Sequence, residues 1–318
     1  AASTFAFAVT PYYASLMDRT DPECPIRRQA VPVMAELEVE DSELLDPLAE
    51  DSHMPVPNLT HRYPDRALLY ASHNCPVYCR HCNRKRKVAD PTSAPSRNEL
   101  SAAIEYVRNE SAIRDVLVSG GDPLSLSDAR LRSVLADLRS IPHLEIIRLA
   151  TRNPVTLPQR VTPELVDTLR PFHPIYVSTH FNHPKECTPE AAQALRRLAD
   201  GGCVLSNQMV LLKGINDDAE VVRELNHWLL RNRCRPYYIF QADAVMGTSH
   251  FRTPTEAGIE IVRQLRGWTS GLAVPHYVVD LPRGGGKVSL QPDYLVEREG
   301  RTLTFENYRG ERYTYDEG

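Results

Sequence analysis

The sequence predicts an α/β chain folded as a partial (β/α)6 barrel, with an N-terminal helical extension and a C-terminal extension. Three observations carry this expectation. Strand-like and helix-like stretches alternate six times between residues 66 and 265, the helices open on polar capping residues, and the stretches of unusual composition directly follow strands. Such alternation implies parallel strands joined by right-handed crossovers. A closed barrel needs eight units, so six leave it open, with functional groups expected at the C-terminal strand ends.

Taken in order, residues 1–60 are acidic and proline-interrupted and form the N-terminal extension. Arg66–Ser72 reads as the first strand. Ser96-x-x-Glu99 is a capping box ahead of Leu100, Ala103, Ile104 and Val107, which recur at helical spacing. The strand at 116–118 ends in Ser119-Gly120-Gly121-Asp122-Pro123, and Leu131, Val134, Leu135 and Leu138 mark the next helix. A strand at 145–150 precedes Thr162-Pro163-Glu164, which opens a helix with proline in its first turn. A strand at 174–178 precedes a helix that begins at Thr188-Pro189-Glu190 and stops at Gly201-Gly202. The fifth unit is a strand at 204–212 and a helix marked by Val221, Val222, Leu225, Trp228 and Leu229. The sixth is a strand at 236–240 and a helix capped by Thr253-Pro254-x-Glu256. The expected division is therefore an extension over 1–60, a barrel over 61–268, and a C-terminal segment over 269–318 that carries Gly284-Gly285-Gly286-Lys287.

Composition narrows the function classes. With 318 residues, 42% hydrophobic and 25% charged, the chain is neither disordered nor a disulfide-dense miniprotein. No apolar run reaches membrane-spanning length, and no basic stretch precedes the short apolar run within residues 1–7. Neither a membrane span nor a secretory leader is expected. A net charge of −4 argues against general nucleic-acid coating. Seven cysteines, three of them crowded at Cys75, Cys79 and Cys82, suggest a reducing, cytoplasmic setting and a metal.

Cys75, Cys79 and Cys82 form C-x3-C-x2-C directly after the first strand. Cysteine thiolates hold iron–sulfur clusters, and three ligands on one loop can hold three irons of a [4Fe–4S] cluster, leaving the fourth open to a small molecule. A zinc site would want a fourth ligand nearby. Structural zinc, or three unrelated thiols, is the competing reading. The run Asn83-Arg84-Lys85-Arg86-Lys87 adds another, a zinc-stabilised nucleic-acid-binding module, or simply a solvated basic loop. The negative balance and the lack of further basic blocks count against nucleic acid.

This cysteine motif after the first strand of a six-unit partial barrel resembles the radical S-adenosylmethionine (SAM) enzymes. The resemblance implies a barrel of the radical SAM type whose open iron binds the methionine amino and carboxylate groups. It also implies that Ser119, Gly120, Gly121 and Asp122 form the glycine-rich segment that receives the amino group.

A second constellation is Asp280-Leu-Pro-Arg-Gly-Gly-Gly-Lys287. Glycines before a lysine let a flat cofactor approach the backbone while the amine reaches its aldehyde, and burial favours the neutral amine. Alone, the same stretch reads first as a glycine-rich turn with an ordinary exposed lysine. Arg62 and Arg66, four residues apart, suit bidentate phosphate binding, although surface ion pairs are their common fate.

Together with segments 10–16, 61–66, 75–84, 119–122, 179–184, 214–217, 235–243 and 250–254, these features resemble the lysine 2,3-aminomutase family over nearly the whole chain. The resemblance implies pyridoxal phosphate on Lys287, seated by Arg62, Tyr63 and Arg66. It implies that Arg84 binds the substrate α-carboxylate, and that His180 and Gln208 lie beside SAM. Asp243 and Asp280 would receive a distal ammonium, and two carboxylates favour a cation over an acidic side chain. The implied reaction moves the α-amino group of a basic L-amino acid to its β-carbon by a radical route. Lysine is the first substrate and arginine the rival, because a guanidinium suits carboxylates. The implied partners are that small amino acid, an external electron donor of flavodoxin or ferredoxin type, and copies of the chain in a homodimer or higher homo-oligomer. Asp218 stands where the family's lysine enzymes carry a zinc cysteine, and the remaining zinc cysteines would follow Gly318, so the expectation leaves that zinc out. Phe240 and Ala242 replace an expected tyrosine and cysteine beside Asp243, and are expected to reshape the distal pocket.

Overall fold

In the computed structural model, which describes residues 6–88 and 94–318, a nine-stranded sheet runs in unbroken neighbour order from β1 to β9. Its strands are β1 (Leu59–Tyr63), β2 (Arg66–Ser72), β3 (Asp115–Gly120), β4 (Ile146–Ala150), β5 (Ile175–Thr179), β6 (Val204–Leu211), β7 (Cys234–Gln241), β8 (His276–Leu281) and β9 (Gly286–Leu290). Strands β2 through β8 are parallel, while β1 and β9 add antiparallel edges. Residues 1–5, which open the stretch behind the leader expectation, lie outside the described residues. Among the described residues no helix is long and apolar enough to cross a membrane.

The helices between parallel strands are α3 (Arg97–Asn109), α4 (Asp128–Arg139), α6 (Pro163–Leu169), α7 (Pro189–Asp200), α8 (Ala219–Arg231) and α9 (Thr255–Leu265). Local chemistry sets their starts. The Ser96 hydroxyl accepts from the Glu99 amide at 3.2 Å while the Ser96 amide donates to the Glu99 carboxylate at 2.8 Å, so both halves of the capping box form. The Thr162 and Thr188 hydroxyls cap α6 and α7 by accepting from the Leu165 and Ala191 amides, without the return bond of a capping box. The start of α9 differs from expectation. Pro254 occupies the cap position and makes no side-chain cap bond, while the Thr253 hydroxyl turns to Gln241 at 3.4 Å.

The apolar stripes bury as the spacing demands. Leu100, Ala103, Ile104 and Val107 of α3, and Leu131, Val134, Leu135 and Leu138 of α4, share one core with Leu69, Val118, Leu149 and Val177 of the strands. Each large aliphatic side chain buried there contributes roughly 1.5–3 kcal/mol.

The sheet contains one parallel strand more than the six expected. β8 has only Tyr277 and Val278 fully buried and lies between Pro275 and Pro282, so it lacks a sustained apolar run and the turn signals around it read as a loop. The 269–318 segment consequently divides. Its first part supplies β8 and β9 to the main sheet, and β10 (Leu295–Glu299), β11 (Thr302–Glu306) and β12 (Arg312–Asp316) form a separate antiparallel sheet.

The N-terminal extension is built into the core. Tyr13 of α1 (Pro11–Ser15) and Ile26 and Ala30 of α2 (Pro25–Ala30) are fully buried within it. The Thr10 hydroxyl donates to the Thr156 carbonyl at 2.5 Å at the end of α5 (Asn153–Thr156), which follows β4. Leu44 pairs with Val245 after β7.

Candidate active site

The C-terminal ends of the parallel strands surround a cavity of about 360 Å³, lined by the three cysteines, the glycine turn after β3, His180, Gln208, Arg62, Arg66, Arg84, Tyr63, Asp243, Asp280 and Lys287. Cys75, Cys79 and Cys82, all free thiols, occupy the loop after β2. The extension pins that loop from behind: the Arg80 amide donates to the Gln29 carbonyl at 2.9 Å, and the Arg80 guanidinium pairs with buried Glu36 at 2.6 Å.

The turn after β3 packs directly on the cysteine loop. Gly120 has φ +107°, and a Cβ there would collide with the Ser72 carbonyl; a Cβ at Gly121 would lie 2.5 Å from the Asn74 carbonyl oxygen. Only glycines allow this approach. Ser119, at the end of β3, is buried beside them. Asp122 is buried with its carboxylate already engaged, accepting from the Thr151 hydroxyl and the Arg152 amide, each at 2.7 Å. It ties the ends of β3 and β4 together. Burial raises its pKa, and these hydrogen bonds oppose the rise.

Arg152, at the end of β4, has no signature in the sequence. Its Nη1 donates to Cys79 Sγ at 2.7 Å, and its Nη2 donates to Gln29 at 2.6 Å and Glu186 at 2.8 Å. Glu186 is fully buried and also accepts from the Tyr13 hydroxyl at 2.7 Å and the Asn182 amide at 2.6 Å. Removing one partner of such a buried pair leaves an uncompensated charge, at a cost of about 3–5 kcal/mol. Glu186→Ala should therefore lose that much stability in urea unfolding, with an unchanged slope. A loss below about 1 kcal/mol would show that Tyr13 and Gln29 suffice for the cation.

His180 and Gln208 lie on the same side of the cavity. His180 Nε2 is buried without a hydrogen-bond partner, and burial, reinforced by the Arg152 charge, pushes its pKa down to about 3. Gln208 reaches the Ser178 hydroxyl at 3.4 Å.

The opposite side is formed by β1, β8 and β9. Asp280 and Lys287 are direct cross-strand partners, brought opposite each other by a turn in which Arg283 and Gly284 have φ of +58° and +81°. Lys287 Nζ donates to Asp280 Oδ2 at 2.7 Å and sits 4.1 Å from the Phe240 ring centroid. Arg62 Nη2 approaches Asp280 Oδ1 at 3.6 Å. The Tyr63 ring lies against the guanidinium groups of Arg62 at 5.0 Å and Arg66 at 4.1 Å, and its buried hydroxyl has no hydrogen-bond partner. Asp243, just past β7, accepts from Asn83 Nδ2 at 2.8 Å. Burial raises its pKa to about 6; the Asn83 bond opposes the rise and the Asp280 charge adds to it.

Several expectations change at this point. Arg84 is not a free guanidinium, because buried Glu50 of the extension holds it at 2.7 Å. Arg86 pairs with Asp46 at 3.0 Å, and Lys87 with Asp51 at 2.5 Å. The basic run is thus largely neutralised by the extension, and the nucleic-acid reading loses its footing. Ala242 packs with Leu212, Ile215 and Phe251 in a small apolar cluster away from the cavity, so only Phe240 shapes the pocket. Asp218 caps α8 by accepting from the Glu220 and Val221 amides.

The donor sets fit the two groups expected here. Three free thiols on one cavity wall suit a polynuclear cluster, and among the described residues no three His, Cys, Asp or Glu side chains converge on a single metal ion. Two arginines, an unpartnered tyrosine hydroxyl and a lysine suit a phosphorylated aldehyde.

This barrel, with three cysteines at the mouth of its first parallel strand, is that of a radical SAM enzyme. Residues 69–225 match the radical SAM superfamily. A solved radical SAM methyltransferase from Sphaerobacter thermophilus has the same fold, with a TM-score of 0.50 at 17% identity over 70% of this chain and 67% of that one. Residues 262–318 match the family described as lysine-2,3-aminomutase. The chain is 51% identical to the L-lysine 2,3-aminomutase of Fusobacterium nucleatum, over 99% of this chain and 74% of the relative. It is 49% identical to that of Clostridium subterminale, over 98% and 74%. It is also 47% identical to the glutamate 2,3-aminomutase of Clostridioides difficile, over 92% and 69%. The chain belongs to the lysine 2,3-aminomutase family of radical SAM isomerases, whose cofactors include a [4Fe–4S] cluster and SAM.

Proposed function

We propose that the chain is a 2,3-aminomutase for a basic L-amino acid, converting L-lysine to β-lysine. The observation that carries this reading is the pair Asp243 and Asp280 in one cavity with Lys287. Like charges about 4 Å apart repel by about 4 kcal/mol near a protein surface. A substrate with a distal carboxylate is disfavoured on that scale, and one with a distal ammonium is favoured.

In this reading Cys75, Cys79 and Cys82 hold the cluster, reduced by an external donor of flavodoxin or ferredoxin type. Ser119, Gly120 and Gly121 present a close-packed backbone edge to SAM, Asp122 holds that edge in place, and His180 and Gln208 flank it. Lys287 anchors pyridoxal phosphate, with Arg62, Tyr63 and Arg66 at its phosphate. When bound, that coenzyme supplies an aldehyde for the migrating nitrogen and a conjugated ring that delocalises an unpaired electron.

The protein's own residues handle charge and position. Lys287 Nζ is held by Asp280 Oδ2 at 2.7 Å, and committing the amine to the coenzyme would release that carboxylate oxygen for the substrate cation. The substrate α-carboxylate takes over Arg84 from Glu50, exchanging one carboxylate for another on the same guanidinium. The cavity walls hold the reacting atoms together and exclude water.

The test is anaerobic turnover of lysine, arginine, glutamate and alanine in parallel across pH. Lysine should react best; glutamate reacting best overturns the reading. Asp243 faces Asn83 and Arg84 of the cysteine loop, Asp280 of β8 and Lys287 of β9, and its pKa of about 6 makes it neutral at lower pH. The lysine KM should then rise about tenfold per pH unit below 6, because a neutral carboxyl no longer attracts the ammonium. A flat KM between pH 5 and 7 removes Asp243 from the substrate site.

A further inference from the structure

Asp243 and Asp280 each have one oxygen engaged in a hydrogen bond. Asn83 Nδ2 donates to Asp243 Oδ2 at 2.8 Å, and Lys287 Nζ donates to Asp280 Oδ2 at 2.7 Å. Asp280 Oδ1 is buried without a hydrogen-bond partner, and Asp243 Oδ1 has none among the described residues. What remains is Asp243 Oδ1 without a hydrogen-bond partner among the described residues and Asp280 Oδ1 with only the Arg62 guanidinium 3.6 Å away.

Ammonium and guanidinium groups use such oxygens differently. A guanidinium binds most strongly as a planar fork, two parallel N–H groups meeting both oxygens of one carboxylate. A primary ammonium is a compact charge with three divergent donors, and it can take one oxygen from each of two acids. When Lys287 is committed to the coenzyme, Asp280 recovers its second oxygen. A guanidinium approaching it would still meet Arg62, 3.6 Å from Oδ1. Asp243 is therefore the carboxylate on which a fork would seat, and Asn83 occupies half of it.

We infer that Asn83 is a specificity-determining residue, selecting a distal ammonium over a guanidinium by holding Asp243 Oδ2. The inference rests on the proposed basic-amino-acid substrate. Asn83 suits the task because its amide is neutral: it fills one oxygen without cancelling the charge that attracts the substrate. Its position is set from both sides, by the turn in which the Cys82 amide donates to the Cys79 carbonyl at 3.2 Å and by the Arg84–Glu50 pair at 2.7 Å.

The experiment compares the wild-type chain with Asn83→Leu, which keeps the branched shape and removes the donor, and with Asn83→Ala as a second deletion. Asn83→Thr, which restores a donor, is the rescue. Each is reconstituted anaerobically with iron, sulfide and pyridoxal phosphate, and iron content identifies the variants that retain the site. Calorimetric dissociation constants for lysine, arginine and glutamate are measured alongside kcat and KM. In the donorless variants the lysine-to-arginine affinity ratio should fall about tenfold, the effect of one modest hydrogen-bond difference. The gain should appear in the arginine KM, and Asn83→Thr should restore the lysine preference. An unchanged ratio in a donorless variant with full iron overturns the role of Asn83, as does a wild-type chain that binds arginine more tightly than lysine. A wild-type chain that binds glutamate most tightly overturns the proposed substrate class instead.

Discussion

Cys79→Ser should leave a folded chain that no longer holds iron. Wild-type protein reconstituted anaerobically should carry about four irons per chain, and the variant less than one. A serine hydroxyl does not deprotonate near neutral pH and is a poor ligand for soft iron–sulfide centres. Losing one of only three protein ligands also removes a third of the anchorage. Cys79 has a further partner, since the Arg152 guanidinium donates to its sulfur at 2.7 Å. SAM cleavage should fall by well over a hundredfold, the loss that deleting an outer partner of a metal ligand can cause by itself. Cys203→Ser is the control. Cys203 is buried in the main core and does not line the cavity, so its variant should keep full iron. Equal iron in the two variants would refute the assignment of the cysteine loop.

Lys287→Ala should abolish covalent retention of pyridoxal phosphate, seen as loss of its protein-bound absorbance after desalting. Turnover should drop at least about a thousandfold, still short of the roughly millionfold loss when a catalytic nucleophile is removed. Stability should barely move. The Lys287 side chain is 24% exposed and Arg62 stays beside Asp280, so the change in unfolding free energy should stay within about 1 kcal/mol. That combination separates a chemical role from a structural one. A variant that keeps the absorbance through desalting would remove Lys287 from the mechanism.

The lysine after three glycines took its meaning from the resemblance of many other segments, whereas Cys79 was legible in the sequence because its signal is local: three cysteines within eight positions stand out whatever surrounds them. The same holds for the Ser96 and Thr188 caps and for the apolar spacing of the helices, which depend on neighbours three and four residues away. β8 was missed for the converse reason: it is proline-flanked with only two fully buried residues, and it is a strand because β7 and β9 pair with it. The Asp280–Lys287 motif was visible as spacing, while its meaning as a cross-strand pair came from the turn between them.

The partners that tune the site lay beyond any window on the chain. Arg152 meets Cys79 across 73 residues and Gln29 across 123, and Asn83 meets Asp243 across 160. Glu50, in what read as an acidic extension, neutralises the arginine expected to await a substrate carboxylate. The sequence alone determined the six strand–helix units and the crowding of Cys75, Cys79 and Cys82, because periodicity, capping and motif spacing act between near neighbours, while Lys287, Asp243 and Asp280 were singled out by the resemblance of many ordered segments. The tertiary structure decided which charges are paired, which oxygens stay open and which guanidinium touches which sulfur. Those contacts join residues that only the curvature of the sheet and the folding back of the extension bring within hydrogen-bond reach.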